Sequence, residues 1–210
     1  MTLFSRHFAA FVAVVVLSLA TTDARAQSGE ARQFLERRHE AVMRILRNAP
    51  KTDAARARRD AKLDQMLSSL LDYEELSRRS LGSHWKPRSA DERRTFTGLL
   101  EKLVERSYKR NLEQTMSYRV RYMTGQASDG GTLVRTEARS KKNPRAPAVS
   151  IDYHLHRVDG QWRVYDVVTD GVSMVRNYRN QFNRIIDDEG WSGLIERMRS
   201  KLDSSEDLTR

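Results

Sequence analysis

Residues 149–168 read VSIDYHLHRVDGQWRVYDVV, two alternating segments on either side of Asp159-Gly160. Apolar and polar residues alternate from Val149 to His156, which is the pattern of a strand with one buried face. The Asp-Gly pair tolerates the positive φ angles of a tight turn, so this stretch predicts a β-hairpin. The register set by that turn gives three cross-strand pairs: Val158 with Gln161, Leu155 with Val164, and Ile151 with Val168.

The predicted hairpin has one apolar and one polar face. The apolar face carries Ile151, Tyr153, Leu155, Trp162, Val164 and Val168, and the polar face carries Asp152, His154, His156, Gln161 and Arg163. Asp166 breaks the pattern, because the same register places it on the apolar face opposite Tyr153. A buried carboxylate needs a hydrogen bond or a cation. Arg176 and Arg179 follow within reach on the next helix, so we expect a structural ion pair there.

The segments before the hairpin are mainly helical. Amphipathic periodicity predicts one helix over 31–48, ending before Pro50, and a second over 52–71. Asp72 and Glu75 resemble a capping box that opens a short helix ending at Gly82, and Ser89 caps the longest helix. That helix has an apolar stripe wide enough to cover a sheet face: Phe96, Leu99, Leu100, Leu103, Val104, Tyr108 and Leu112.

The period changes from helical to alternating after Gln114. Residues 118–122 and 132–139 read as two strands joined by a turn at 128–131, which makes four strands with the hairpin. Short connections favour antiparallel pairing. Helices come first and the sheet follows, so the predicted class is α+β. Two C-terminal helices follow, interrupted at Gly190.

The first residues have the features of an export signal. Arg6 and His7 precede an apolar run from Phe8 to Ala20 that is too short to span a bilayer, and Ala24-Arg25-Ala26 follows. We expect residues 1–26 to be a signal peptide cleaved after Ala26, with an uncleaved anchor as the alternative. The remaining chain then forms a single domain, 27–202, and a disordered tail, 203–210.

Composition narrows the choice of partners. The 210-residue chain has no cysteine, so it contains neither disulfides nor thiol chemistry, and its formal charge is +10. Cleavage would remove Arg6, Arg25 and Asp23, which leaves +9. An exported basic protein meets anionic lipid headgroups or acidic proteins rather than nucleic acid. The alternative is a solvated surface on which Lys and Arg are scattered among Asp and Glu.

Residues for catalysis or metal binding are sparse. No Gly-rich phosphate loop follows a strand, and no Ser-His-Asp arrangement is indicated, so we expect no enzyme. Asp152, His154 and His156 share one strand face and could hold a metal ion, although exposed histidines explain the same pattern. Asp166 among aromatic residues is the alternative enzymatic candidate, as the acid or base of a small isomerase-like pocket.

Several segments in a specific order carry a family resemblance. They are Asp72-Tyr73-Glu74-Glu75, Leu81-Gly82-Ser83-His84-Trp85, Ser107-Tyr108, Gly160-Gln161-Trp162-Arg163-Val164-Tyr165-Asp166-Val167, Gly171-Val172-Ser173-Met174-Val175 and Asn177-Tyr178-Arg179-Asn180-Gln181-Phe182. Together they span roughly residues 71–202. The chain resembles the toluene-tolerance family, the periplasmic phospholipid carriers of the Mla lipid-transport pathway.

The resemblance implies a twisted antiparallel sheet wrapped by helices around an apolar cavity that holds acyl chains. It implies a periplasmic shuttle that maintains outer-membrane lipid asymmetry, with phospholipid as cargo and no cofactor. The implied partners are an outer-membrane lipoprotein and porin complex and an inner-membrane ABC transporter complex. A hopanoid-like lipid as cargo, and a surface-binding adaptor without a cavity, stay open as alternatives. We expect a monomer.

The predicted cavity wall combines apolar residues of the long helix, the sheet and the C-terminal helix. Its members are Leu99, Leu103, Tyr108, Val120, Tyr122, Tyr153, Leu155, Trp162, Val164, Val175 and Tyr178. The alternative for each residue is an ordinary close-packed core, since cavities are the exception in protein interiors.

Overall fold

A computed structural model describes residues 8–48, 50–128 and 130–204, with side chains from residue 27 onward except at 112 and 113. The first seven residues of the predicted signal peptide, Asp129 of the predicted turn and residues 205–210 of the predicted tail lie outside this description. Asp203 ends the last helix, and Ser204 caps it.

Five α-helices and one short 3₁₀ helix form the helical part of the described chain. They are α1 (Phe8–Arg47), α2 (Asp53–Leu70), α3 (Tyr73–Leu81), the 3₁₀ turn Gly82–His84, α4 (Ala90–Thr115) and α5 (Met174–Asp203). Helix α1 continues through Ala26, so cleavage there stays a prediction. Among the described residues, no helix combines the length and the apolar character needed to cross a membrane. Helix α5 is kinked at Gly190, where φ is 72°.

The predicted helix starts at Asp72 and Ser89 are confirmed by capping hydrogen bonds, whereas α1 begins at Phe8 and not at the predicted residue 31. The Asp72 side chain accepts from the Glu75 N–H at 2.9 Å and opens α3. Ser89 and Glu92 form a reciprocal box at α4, with the Ser89 N–H donating to the Glu92 carboxylate at 2.7 Å and the Glu92 N–H donating to Ser89 Oγ at 3.2 Å. The box at Asp72 is only half formed, because its own N–H donates to the Val164 carbonyl.

The described chain contains one six-stranded antiparallel sheet. Its strands are β1 (Tyr118–Tyr122), β2 (Gln126–Ser128), β3 (Gly131–Ser140), β4 (Val149–Val158), β5 (Gln161–Thr169) and β6 (Val172–Ser173). The order is β1-β3-β4-β5-β6, and β2 also pairs with β3. The α+β class and the four long strands are confirmed. The count of four is wrong because β2 and β6 are too short to produce an alternating pattern.

A β-bulge at Tyr165 corrects the predicted register. Val158 pairs with Gln161 and Leu155 with Val164 as predicted, but Tyr165 has no opposite residue, so His154 faces Asp166. Beyond the bulge the two faces exchange residues. Ile151 therefore pairs with Thr169 instead of Val168, and Tyr153 pairs with Val167 instead of Asp166. Val167 takes the place on the apolar face that was predicted for Asp166, while Asp166 and Val168 lie on the opposite face.

Two hydrophobic clusters form the interior of the described chain. The larger one joins α1, α3, α4 and α5 to the sheet face that carries Val134, Leu155 and Val164, which we call the inner face. The smaller one joins Val42 and Leu46 of α1 to Leu63 of α2. Half-buried apolar residues lie beside both clusters, and Tyr108 of α4 packs against the smaller one.

Candidate functional site

The residues predicted to line a cavity divide into two groups in the structure. Leu103, Leu155, Trp162, Val164, Val175 and Tyr178 are buried members of the larger cluster. Leu99, Tyr108, Val120, Tyr122 and Tyr153 keep part of their surface accessible although they face the interior. We call this second group the intercluster surface.

The intercluster surface is built by three elements of the fold. Helix α4 provides Leu99 and Tyr108, β1 provides Val120 and Tyr122, and β4 provides Tyr153. Strand alternation puts both β1 residues on the inner face, since Val120 pairs with Ala138, which is buried on that face of β3. The period of α4 turns its apolar stripe toward the same side. The surface therefore follows from patterns that the sequence carries.

Three tyrosines within this surface are half-buried. Burial raises the pKa of Tyr153 to about 12. Burial, together with the nearby Tyr153, also raises the pKa of Tyr108 and of Tyr122. The three hydroxyls are therefore largely withdrawn from water, although each residue keeps some accessible surface.

The surroundings of the tyrosines are apolar on both sides. Tyr108 packs against the smaller cluster, whereas Leu99, Tyr122 and Tyr153 pack against the larger one. The His39 ring of α1 meets the Tyr122 ring edge-on, with 6.2 Å between the ring centroids. Phe34, Met66 and Leu70 add half-buried apolar side chains from α1 and α2 to the two clusters. This arrangement suits an elongated apolar ligand.

Two buried polar atoms of the larger cluster have no hydrogen-bond partner among the described residues: Tyr73 Oη and Trp162 Nε1. Burial also raises the pKa of Tyr73, so its hydroxyl stays protonated and can donate. Sequence reasoning proposed Trp162 but missed Tyr73. A tyrosine in the first turn of a helix gives no signal of its own, because its burial depends on the contact between α3 and β5.

Asp166 is held by two hydrogen bonds at the start of α5. The Ser173 hydroxyl donates to Asp166 Oδ2 at 2.6 Å, and the Val175 N–H donates to Oδ1 at 3.1 Å. The bulge at Tyr165 turns the carboxylate to the face where α5 begins. Both carboxylate oxygens accept hydrogen bonds from the protein, which favours a structural role over a free catalytic base.

The predicted ion pair of Asp166 is replaced by these bonds. The Arg176 guanidinium donates to the Gly171 carbonyl at 3.0 Å, and that of Arg179 donates to the Arg79 carbonyl at 2.8 Å. Both arginines line a hollow of about 230 Å³ beside Asp166. Neither guanidinium comes within 4 Å of the carboxylate in the described part of the chain, because each is engaged by a backbone carbonyl.

The three polar residues of β4 have separate partners. His156 Nε2 lies 2.7 Å from Asp72 Oδ2, and Asp152 Oδ2 lies 3.6 Å from Arg135 Nε. The His154 ring packs against the Tyr165 ring, with 5.9 Å between centroids. Across the residues that the structure describes, no three His, Asp or Glu side chains gather as metal ligands. The strand pattern that suggested a metal site is explained by these contacts.

Comparisons with known proteins agree with this fold. Residues 36–200 match the family model of the MlaC protein. Among solved structures, the phospholipid-binding protein from Ralstonia solanacearum, described in complex with a phospholipid, is similar in fold. It is 19% identical, with a TM-score of 0.59, and the match covers 90% of this chain and 96% of that chain. No curated protein sequence matches. Because the family model spans most of the 210 residues, this chain belongs to the MlaC protein family.

Proposed function

We propose that this protein is a periplasmic carrier that binds one phospholipid and places its acyl chains against the intercluster surface. Membership of the MlaC family supports a lipid carrier. The phospholipid described in the Ralstonia solanacearum structure supports the class of cargo. The observation that carries the proposal is the group of half-buried, mainly apolar side chains around Tyr108, Tyr122 and Tyr153 on the inner face of the sheet.

The binding energy would come from the acyl chains. Each methylene moved from water into an apolar site contributes about 0.8 kcal/mol, so two chains hold the lipid on the carrier against release into water even when the headgroup stays in solvent. One side of the proposed site would stay fixed, and the other would adjust to the acyl chains. The buried residues Leu155 and Val164 form a fixed floor, while the intercluster surface adapts to the chains.

The carrier would move its lipid between membranes without changing it chemically. Its proposed partners are an outer-membrane lipoprotein and porin complex and an inner-membrane ABC transporter complex, and the outcome is maintained outer-membrane lipid asymmetry. Export depends on the predicted signal peptide, 1–26. The structure of Asp166 supports transport over chemistry, because its carboxylate is committed to Ser173 and Val175.

Organic extraction of purified protein tests the proposal. The full chain is expressed with its own signal in a Gram-negative host and purified from the periplasm without detergent. Mass spectrometry of the extract should identify intact two-chain phospholipid. We expect about one molecule per protein, because the proposed apolar site has room for a single lipid. Protein that is folded but free of lipid would overturn the proposal. A hopanoid-like lipid in the extract would correct the cargo, and a lipid cleaved by wild type but not by Asp166→Asn would indicate an enzyme.

A further inference from the structure

Helices α1 and α2 enclose a groove that lies outside the two hydrophobic clusters. Its volume is about 680 Å³. Positions 41, 44 and 45 line it from α1 and position 48 from the residue just after that helix, and positions 55, 58, 59 and 62 line it from α2. Both sets follow the helical spacing i, i+3, i+4, i+7, so two turns of each helix face the groove. At 5.4 Å per turn, the lined length is about 11 Å on each helix.

The rim of the groove is basic. Five cationic side chains line it, and no carboxylate does: Arg44, Lys51, Arg58, Arg59 and Lys62. Arg59 has a partner, since its Nε lies 3.0 Å from Asp60 Oδ1. Within the described ranges, the other four make no ion pair within 4 Å. Clustered cations without counter-charges create a local positive potential that attracts acidic partners.

The floor of the groove is apolar. Ala41 and Ile45 of α1 and Ala55 of α2 line it together with Pro50, and all four side chains are half-buried. Ile45 also packs against the smaller cluster, which fixes its position. The groove therefore combines an apolar floor with a cationic rim. An ordinary solvated basic surface would not need the apolar floor.

We infer that this groove docks an acidic amphipathic helix of a protein partner. A helix with apolar residues at i, i+3, i+4 and i+7 would place them on the floor and its Glu and Asp residues against the rim. An anionic bilayer would contact the rim charges but, being flat, would leave the concave floor uncovered. The groove therefore favours a helix over a lipid surface.

The inferred docking site is separate from the proposed lipid site. Val42, Leu46 and Leu63 point from the same two helices into the smaller cluster, whereas the groove residues lie at neighbouring positions, and only Ile45 among them also borders that cluster. A partner could therefore bind to the loaded carrier without displacing its lipid. The inference stands on the groove alone and does not depend on the identity of the cargo.

A labelled synthetic helix tests the inference with the whole mature protein. The probe is a peptide of about 18 residues with Leu at i, i+3, i+4 and i+7 and Glu elsewhere, long enough to form a helix on binding. Fluorescence anisotropy should detect binding that weakens as salt rises. A peptide of the same composition with scrambled order should bind about tenfold more weakly, since only the ordered peptide matches the floor.

Two charge-matched variants locate the site. Arg44→Glu with Arg58→Glu reverses two groove cations, and we expect about a tenfold loss of affinity for the peptide. Arg119→Glu with Arg145→Glu makes the same net change at exposed positions outside the groove, and we expect affinity within about twofold of wild type. Melting temperatures verify that all proteins are folded.

Three outcomes would overturn the inference. The first is no binding of the ordered peptide, and the second is equal binding of the scrambled peptide. The third is an equal loss in both variants, which would mean that total charge rather than the groove attracts the probe. Vesicles containing phosphatidylglycerol are run in parallel. Binding to them that requires the groove cations, without binding of the peptide, would identify a membrane surface as the occupant instead.

Discussion

The Ser173 hydroxyl donates a hydrogen bond of 2.6 Å to Asp166 Oδ2 and so joins the end of β5 to the start of α5. Ser173 Oγ also accepts from the Arg176 N–H at 3.0 Å, which makes it the N-cap of the helix. The carboxylate thus orients the capping residue and accepts from the Val175 N–H as well. Sheet and helix are fixed to each other by one half-buried carboxylate.

Removing that acceptor should destabilise the protein. Asp166→Ala leaves the Ser173 hydroxyl and the Val175 N–H without their partner, and we expect a loss of about 1–3 kcal/mol in the free energy of unfolding. Asp166→Asn retains one acceptor oxygen and should lose less. Urea unfolding measures both, with Asp187→Ala at an exposed position of α5 as the control. An Asp166→Ala protein as stable as the control would contradict this role.

Glu75 should make stability depend on acid pH. The hydrogen bonds from Arg78, and secondarily those from Arg79, lower the pKa of Glu75 below its ordinary value of 4.5. A lowered folded-state pKa means that the stabilisation is complete above the unfolded value and is lost as pH falls through the folded value. The stability difference between wild type and Glu75→Gln should therefore be constant near neutrality and shrink below about pH 4.

Urea unfolding midpoints between pH 3 and pH 7 measure this difference. Glu74→Gln changes the same charge at the neighbouring exposed position, and its difference from wild type should vary less with pH. If the Glu75→Gln difference stays the same at every pH, the Arg78 and Arg79 bonds do not control the titration of Glu75.

Two substitutions to Trp should distinguish a residue that contacts lipid from a residue of the close-packed core. Leu99 keeps accessible surface, so Leu99→Trp should be tolerated with a near-normal melting temperature while reducing the lipid that co-purifies. Val164 is completely buried, so Val164→Trp should overpack the core and cost about 1–3 kcal/mol or more. Melting temperature and extracted lipid are measured on the same preparations. Destabilisation by Leu99→Trp without any change in bound lipid would remove Leu99 from the lipid site.

Signal cleavage should leave Gln27 as the first residue of the mature protein. Gln27 is exposed in the structure, but Ser28 is buried and close to Gly125, where an added Cβ would lie 2.6 Å from the Ser28 carbonyl oxygen. The mature chain would therefore begin one residue before the buried Ser28. The intact mass of the periplasmic protein should correspond to a chain that begins at Gln27. Protein in the membrane fraction that still contains residues 1–26 would contradict a freely diffusing carrier.

Local patterns in the sequence predict most of the helices and strands of the fold. The Asp159-Gly160 turn determined the first pairs of the hairpin, and Thr52, Asp72 and Ser89 marked helix starts because their side chains bond nearby N–H groups. The only sign of the bulge at Tyr165 was that Asp166 breaks the alternation, and a buried ion pair explained that break equally well. The burial of Tyr165 against His156 and Arg79 is a tertiary contact, and that contact decides which face Asp166 occupies.

The functional surfaces were harder to predict for the same reason. Periodicity identified which residues face inward, but only the tertiary structure distinguishes the fully buried Val164 from the half-buried Tyr153. The cations of α1 and α2 read as a solvated face, because nothing in either helix alone indicates the partner across the groove. Whether two such faces form one site depends on how the helices pair.

Photolabelling with a phospholipid tests whether the acyl chains lie against the intercluster surface. Mature protein is loaded with phosphatidylethanolamine that carries a photoreactive group in one acyl chain, irradiated and digested, and the labelled peptides are identified by mass spectrometry. We expect labels at the intercluster surface, on peptides that contain Leu99, Tyr108, Val120, Tyr122 or Tyr153. Labels confined to the opposite sheet face, near His154 and Asp166, or an absence of protein labelling in a loaded sample, would contradict it.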